Sequence, residues 1–414
     1  LLEVENPQRI FIRGERQAIL KEDMAASAKV RIQYASKYAQ SSNYWKNSIG
    51  KSRGIRRLDV KGRKQEQEAA FTAWAAKNTL PTEGYSNALN LIRESVEETA
   101  PYFASSQYLS EAIGRSVEIL APARLAVSKK GGELTEALKA FYKDYNMPTD
   151  RRVAKRMFRI VGENCKELPS VFAEVIGKRF GGDTDAYVDY LYDNSVFADE
   201  RKALAAAAAG TDVSNDPAVL LNKSYTAKMR ELAVAQLAGK RKFADGQRLY
   251  IAGLMRMQPN KAWASDANFT LRLTYGRVLP YDPADGIHYN YYTTLKGVME
   301  KENPQNPTEF TVPARLKELY AAKDFGRYAN ERGELPVAFL ADCDITGGNS
   351  GSPVLNAKGT LLGLAFDGNW EAMSGDVAFE PELQRTIAVD VRYVLFVIDK
   401  FAGAGWLLDE LQFE

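Results

Sequence analysis

The stretch "DCDITGGNSGSPVLNAKGTLLGLAFDGNW", Asp342 to Trp370, sets a serine, Ser350, in a turn rich in glycine. A serine hydroxyl is a weak nucleophile until a neighbouring base takes its proton, and in most serine hydrolases that base is a histidine held by a carboxylate. The chain has one histidine, His288. Either His288 is the base, or the base lies outside this chain, or Ser350 does no chemistry. Stabilising the oxyanion of a tetrahedral intermediate takes two backbone N–H groups aimed the same way, which bends the chain sharply and favours residues without side chains. Gly348 and Ser350 are the expected donors, and Gly351 lets the backbone lie close to substrate. The alternative reading of "GGNSGSP" is a tight glycine turn between strands and nothing more.

These residues need strands to hold them. "PVAFLADC" and "GTLLGLAFD" are short apolar runs bounded by turn residues, and "NAKG", Asn356 to Gly359, is a turn. Ser352, Pro353 and Val354 lead into a strand that "NAKG" turns into "TLLGLAF", a hairpin that carries Ser350 at one end, with Asp342 and Asp344 shaping the loop before it. "NFTLRLTYGRVLPY" alternates with the two-residue period of a strand, "TVPARLKELYAAKDFG" is a helical interruption, and "RTIAVDVRYVLFVIDKFAGAGWLLDEL" reads as a strand and a closing helix. That order of strand, glycine turn, serine, hairpin and closing helix is the one a chymotrypsin-like second barrel requires. Upstream, from about Arg13 to about Met257, apolar residues recur at three- and four-residue spacing. "ERQAILKEDMAASAKVRIQYASKYAQSSNYW" predicts one long helix, "KGRKQEQEAAFTAWAAKN" a second, and the stretch from Asn215 to Met257 a third or a helix pair, while Gly210 stops the helix of "RKALAAAAAG". The fold class expected is α+β, with an all-α domain over 1–260 and a β-rich domain over 261–414.

At 414 residues, 45% hydrophobic and 11% aromatic, the chain can bury real cores. A formal net charge of +2 gives no global field for nucleic acid or an anionic membrane surface, so neither is an expected partner. No apolar run reaches the length of a membrane span. Cys165 and Cys343 stand far apart without a C-x-x-C pattern, which favours two free thiols over a zinc site or a disulfide framework, and no metal or cofactor is expected. The chain opens on Leu1 without methionine or a signal-peptide pattern, which suggests a piece of a longer precursor.

"GGNSGSPVLNAKGTLLGLAFDGNWEAMSGD" resembles the C-terminal signature of the bacterial serine dipeptidyl-peptidases of the dipeptidyl-peptidase 7 and 11 type, and "NPQRIFIRGERQAILKEDM" and "SSNYWKNSIGKSRG" resemble that family's helical domain. The resemblance implies a chymotrypsin-like double barrel with a helical domain inserted between its halves, acting in the periplasm or at the cell surface of a Gram-negative bacterium. The function it implies is removal of dipeptides from free peptide N-termini. It further implies that the catalytic histidine and aspartate belong to a first barrel absent from this chain. His288, in "DPADGIHYNYYTTLKG", is then a structural residue, and the chain alone is silent.

The other site residues follow from the same resemblance. A substrate ammonium offers three donors and needs a carboxylate and further oxygen acceptors. Asp367 aligns with the acid the family uses, against the alternative of a turn aspartate in "DGNW". Asn43 is the expected second acceptor and Asn47 the substitute, each otherwise a helix C-terminal asparagine. By the family's rule Gly368 implies an apolar preference at the penultimate position, where a basic residue would imply an acidic one. Phe366 lines the pocket wall or packs in the core. Expected partners are peptides with a free N-terminus and the absent barrel segment; a homodimer is left open. The competing readings are a chymotrypsin-like endopeptidase with a helical appendage, and a non-catalytic helical interaction module on a degenerate barrel.

Overall fold

The computed structural model describes residues 1–263, 270–307 and 309–413. Its residues cluster into two compact units, Leu1–Ser52 with Gly62–Ala264, and Arg53–Lys61 with Ser265–Glu414.

The first unit is helical among its described residues. It runs through α1 (Glu5–Ala26), α2 (Ala28–Arg57, whose last turn falls in the second unit), α3 (Val60–Asn78), α4 (Ala88–Tyr108), α5 (Leu120–Ser128) and α6 (Gly131–Lys143). Then come α7 (Met147–Asn164), α8 (Lys178–Phe180), α9 (Thr184–Asn194), α10 (Glu200–Ala209), α11 (Pro217–Ala235) and α12 (Leu237–Met257). The first expected helix is two: Ser27 takes an extended conformation (φ −143°, ψ 121°) between α1 and α2. The long pattern after Asn215 resolves into the pair α11 and α12.

Starts and stops follow side-chain chemistry. Asn146, Asp183, Asp199 and Asp216 accept backbone N–H groups at the starts of α7, α9, α10 and α11, and Gly210 (φ 63°) ends α10. The core gathers Ile12, Leu20, Leu120, Leu138, Phe158 and Val188, each fully buried. Within it Asp150 is a buried carboxylate, accepting from the N–H groups of Glu118 (2.7 Å) and Ile119 (2.9 Å) and the hydroxyls of Tyr145 (3.2 Å) and Tyr192 (2.7 Å). Such a group is tolerated inside only because its oxygens are hydrogen-bonded.

The second unit holds a hairpin, β1 (Tyr281–Ala284) with β2 (Ile287–Tyr289), and a five-stranded antiparallel sheet in the order β3-β4-β7-β6-β5. The sheet strands are β3 (Tyr292–Thr294), β4 (Pro336–Ala341), β5 (Pro353–Leu355), β6 (Leu361–Gly368) and β7 (Thr386–Asp390). Helices α13 (Leu295–Glu300), α14 (Ala314–Ala321) and α15 (Val391–Phe396) bring Leu295, Leu316, Leu319 and Phe396 into one core with Phe325, Tyr328 and Leu335. The fold class is α+β. Among the described residues the sheet is open, with β3 and β5 as its edges, and no barrel closes.

One expected strand is absent. Asn268 and Phe269 lie outside the described residues, and from Thr270 to Pro280 the chain makes only an isolated bridge, Val278 to Ala341. Leu271, Leu273 and Tyr275 are 103%, 85% and 87% exposed, so the alternation exists without a neighbouring strand to complete a ladder. Both cysteines are free, Cys165 buried and Cys343 partly so. No helix among the described residues is long and apolar enough to cross a membrane.

Candidate active site

The loop between β4 and β5 is anchored before it reaches Ser350. Asp342 donates its N–H to the Arg277 carbonyl at 3.0 Å, Asp344 donates its own to Thr274 Oγ1 at 3.1 Å, and Thr386 Oγ1 donates to the Cys343 carbonyl at 2.7 Å. The backbone at 342–344 is thereby tied down on the approach to Ser350, and Asp342 Oδ1 accepts the Arg277 N–H as well. Thr346 and Asn349 close a small ring: Thr346 N–H donates to Asn349 Oδ1 (3.1 Å), Asn349 N–H to the Thr346 carbonyl (3.2 Å), and Thr346 Oγ1 to Asp376 (2.9 Å). Gly348 and Gly351 take φ of 106° and 85°, a region that residues with a Cβ rarely enter. Ser350 is exposed at the apex, and among the described residues neither its N–H nor that of Gly348 donates to another group. Two free amides beside an exposed hydroxyl are the elements an oxyanion site is made from.

β6 runs past this apex. Gly351 N–H donates to the Ala365 carbonyl at 2.7 Å and Ala365 N–H to the Ser352 carbonyl at 3.0 Å, which fixes the serine loop against the strand. The β6–β7 register then shifts between Ala365 and Asp367, leaving Phe366 as a bulged residue. The Ser350 hydroxyl lies 3.5 Å from the Phe366 carbonyl, and Phe366 as a whole is 50% exposed, so it is not a core residue. Asp367 is exposed; its Oδ1 accepts the Gly368 N–H at 2.8 Å, and Oδ2 has no partner among the described residues.

The turn after it is capped by a different side chain. Asn369, buried, accepts the N–H groups of Ala372 (3.1 Å) and Arg385 (2.9 Å) on Oδ1 and donates to the Leu383 carbonyl (2.7 Å). A Cβ at Gly368 would stand 3.0 Å from Ala372 Cβ and 3.7 Å from Met373 Cε, so these two side chains bound the space beside it.

His288 lies on β2 and pairs through Nδ1 with Asp282 Oδ1 at 2.6 Å, its side chain 62% exposed. Among the described residues no hydrogen bond joins that pair to Ser350. In the helical unit, Asn43 and Asn47 lie inside α2 rather than at a helix end, as the sequence reading had them. Asn43 is exposed and Asn47 half-buried, while Trp45 between them is pinned by its indole N–H to the Ile10 carbonyl at 2.9 Å. The unit's own polar cavity, about 590 Å³ and lined by Arg13, Arg16, Lys37, Glu111 and Glu118 among others, does not include Asn43. No group of three or more His, Cys, Asp or Glu among the described residues could hold a metal ion.

Sequence reasoning missed Asn369 and Arg385. The first was visible as an asparagine after glycine in a turn. The second carried no signal: Arg385 is buried and its guanidinium donates to backbone carbonyls, those of Pro280, Pro381, Gln384 and Glu382.

Residues 1–413 match the family model Peptidase S46. The chain belongs to the peptidase S46 family. It is 45% identical over 424 residues to dipeptidyl-peptidase 7 of Porphyromonas gingivalis, covering 99% of this chain and 59% of that protein. To the Asp/Glu-specific dipeptidyl-peptidase of the same organism it is 38% identical, again over 99% of this chain and 59% of the relative. The crystal structure of Porphyromonas endodontalis DPP11 in complex with the dipeptide Arg-Glu superposes with a TM-score of 0.88 at 34% identity, over 99% of this chain and 61% of that one. The chain thus spans about three-fifths of the length of these S46 relatives.

Proposed function

We propose that this chain is the C-terminal part of a serine dipeptidyl-peptidase that removes dipeptides from the free N-termini of peptides and prefers an apolar penultimate residue. One observation carries the reading: the Ser350 hydroxyl lies 3.5 Å from the carbonyl of Phe366, the bulged residue that immediately precedes the exposed Asp367 on β6. A nucleophile whose loop is fixed against a strand that also carries an acceptor for the ammonium measures off a short N-terminal piece of substrate. Ser350 attacks the carbonyl, and the free amides of Gly348 and Ser350 receive the oxyanion. Asp367 Oδ2 takes the ammonium, and Gly368, walled by Met373 and Ala372, receives the penultimate side chain. The open sheet is read as one half of a chymotrypsin-like pair. The general base is assigned to a part of the protein that these residues do not include.

A second reading rests on the His288–Asp282 pair, since a carboxylate on Nδ1 leaves Nε2 free to accept a proton. It is the weaker one, because both side chains are largely exposed whereas a catalytic pair is held in place by burial. The test is hydrolysis of dipeptidyl chromogenic substrates by the full-length enzyme, with the substrate amine free or acetylated. Release from the free amine and not from the acetylated one is expected; equal rates would make the protein an endopeptidase.

A further inference from the structure

The short turn Trp370–Ser374, a 3₁₀ segment separated from Gly368 by its N-cap Asn369, is gripped from two sides. Residues three apart share a face in such a helix, so Glu371 and Ser374 point one way while Ala372 and Met373 point others. The face with Glu371 and Ser374 meets the last turn of α2. A Cβ at Gly54 would stand 2.2 Å from Ser374 Oγ and 2.6 Å from Ser374 Cβ, so only glycine allows the approach. Beside it, Arg57 Nη1 lies 4.0 Å from Glu371 Oε1, and the Arg53 guanidinium sits 6.0 Å from the Trp370 ring centre. Ser374 is 1% exposed, its carbonyl accepts the N–H groups of Val377 and Ala378 at 2.9 Å, and among the described residues its hydroxyl has no hydrogen-bond partner, so the side chain itself is held by shape. On the other side Ala372 Cβ and Met373 Cε bound the space at Gly368, at 3.0 and 3.7 Å from where its Cβ would be.

We infer that Gly54 is a positioning residue for selection of the penultimate substrate side chain. By admitting Ser374, it holds the turn back from β6 and sets where Met373 stands as the pocket wall. The inference rests on the dipeptidyl-peptidase reading above and adds a determinant of its specificity that touches no substrate atom. A side chain at position 54 pushes the turn toward Gly368 and narrows the pocket.

The experiment is a panel of dipeptidyl substrates varying only at the penultimate residue, Ala, Leu, Met and Phe, with kcat and KM measured separately on the full-length enzyme. Gly54→Ala is expected to lower kcat/KM for Phe and Met relative to Ala by about tenfold, chiefly through KM, the size of effect that a methylene's volume has in an apolar pocket. Ser374→Gly placed in that background removes both clashing atoms and is expected to restore the ranking. An unchanged ranking in Gly54→Ala, or a shift that Ser374→Gly leaves in place, overturns the inference. If Gly54→Ala does not fold, Met373→Ala serves instead: it is expected to raise Phe relative to Leu, and an unaltered ranking overturns the inference equally. Wild-type enzyme that releases no dipeptide from any of the panel refutes the underlying function and not the role of Gly54.

Discussion

Ser350 Oγ and the Phe366 carbonyl oxygen stand 3.5 Å apart, at the outer limit of a hydrogen bond, and no nitrogen base accepts from that hydroxyl among the described residues. A serine so placed is not activated by its surroundings. In the full-length enzyme Ser350→Ala is expected to lower kcat by a factor on the order of 10⁴ or more, leaving what binding and oxyanion donors supply. His288→Ala is expected to leave kcat/KM within about threefold, since a surface substitution away from the reacting atoms disturbs little. Steady-state kinetics on the two variants decide between the readings, because a collapse in His288→Ala would make the His288–Asp282 pair the catalytic one.

Among the described residues Asp367 Oδ2 has no partner, and the proposed function makes it the acceptor of the substrate ammonium. Asp367→Asn keeps the shape and the acceptor for the Gly368 N–H but removes the charge. The loss expected is about 2–4 kcal/mol in kcat/KM, as for one partner taken from a charge pair in a cleft. The melting temperature is expected to stay within a degree or so of wild type, because an exposed side chain is replaced by its isostere. Unaltered kinetics would reduce Asp367 to a turn residue.

Much of this site was legible because strand and turn chemistry are local. The "PVAFLADC" strand, the "NAKG" turn and the strand after it are where their residues put them, and the glycines at 348 and 351 hold the backbone angles that such a turn demands. What was not legible is pairing at a distance. The alternation of Leu271, Leu273 and Tyr275 states which residues share a face, but not whether another strand lies alongside, and none does among the described residues. A break at Ser27 inside an unbroken helical pattern, and Asn43 in mid-helix, depend on packing that periodicity does not encode. The contact of Asp282 with His288 and of Gly54 with Ser374 likewise exist only in the fold.

Gly368 tests the link between pocket shape and preference. An arginine there begins against Ala372 Cβ and Met373 Cε, so the added side chain fills the apolar space before its guanidinium reaches anything. Gly368→Arg is expected to reduce kcat/KM for Leu, Met and Phe substrates by about tenfold or more. A gain for Asp or Glu needs the guanidinium to be aimed, and pairing the substitution with Ala372→Gly, which frees the 3.0 Å contact, is expected to favour it. A panel whose ranking does not move in Gly368→Arg would place Gly368 away from the pocket.

The helical unit carries its own pH dependence at Asp150. Burial, and then the charge of Glu118, push its carboxyl up to about 7, against the hydrogen bonds from Tyr192 and the N–H groups of Glu118 and Ile119 that favour the ionised form. An unfolded chain releases the same proton near pH 4, at about the ordinary aspartate value. Between those two values the folded state binds more protons than the unfolded one, so stability is greatest at the acid end of the interval and falls as pH rises toward 7. Asp150→Asn is expected to abolish that slope, costing about 3 kcal/mol at pH 5, where its amide NH₂ must face a backbone N–H that now has no acceptor, and progressively less against wild type as pH rises through 7. Urea unfolding followed by helical circular dichroism at pH 5, 6, 7 and 8, on wild type and variant, separates the two effects. Parallel pH profiles would show that Asp150 keeps one protonation state throughout.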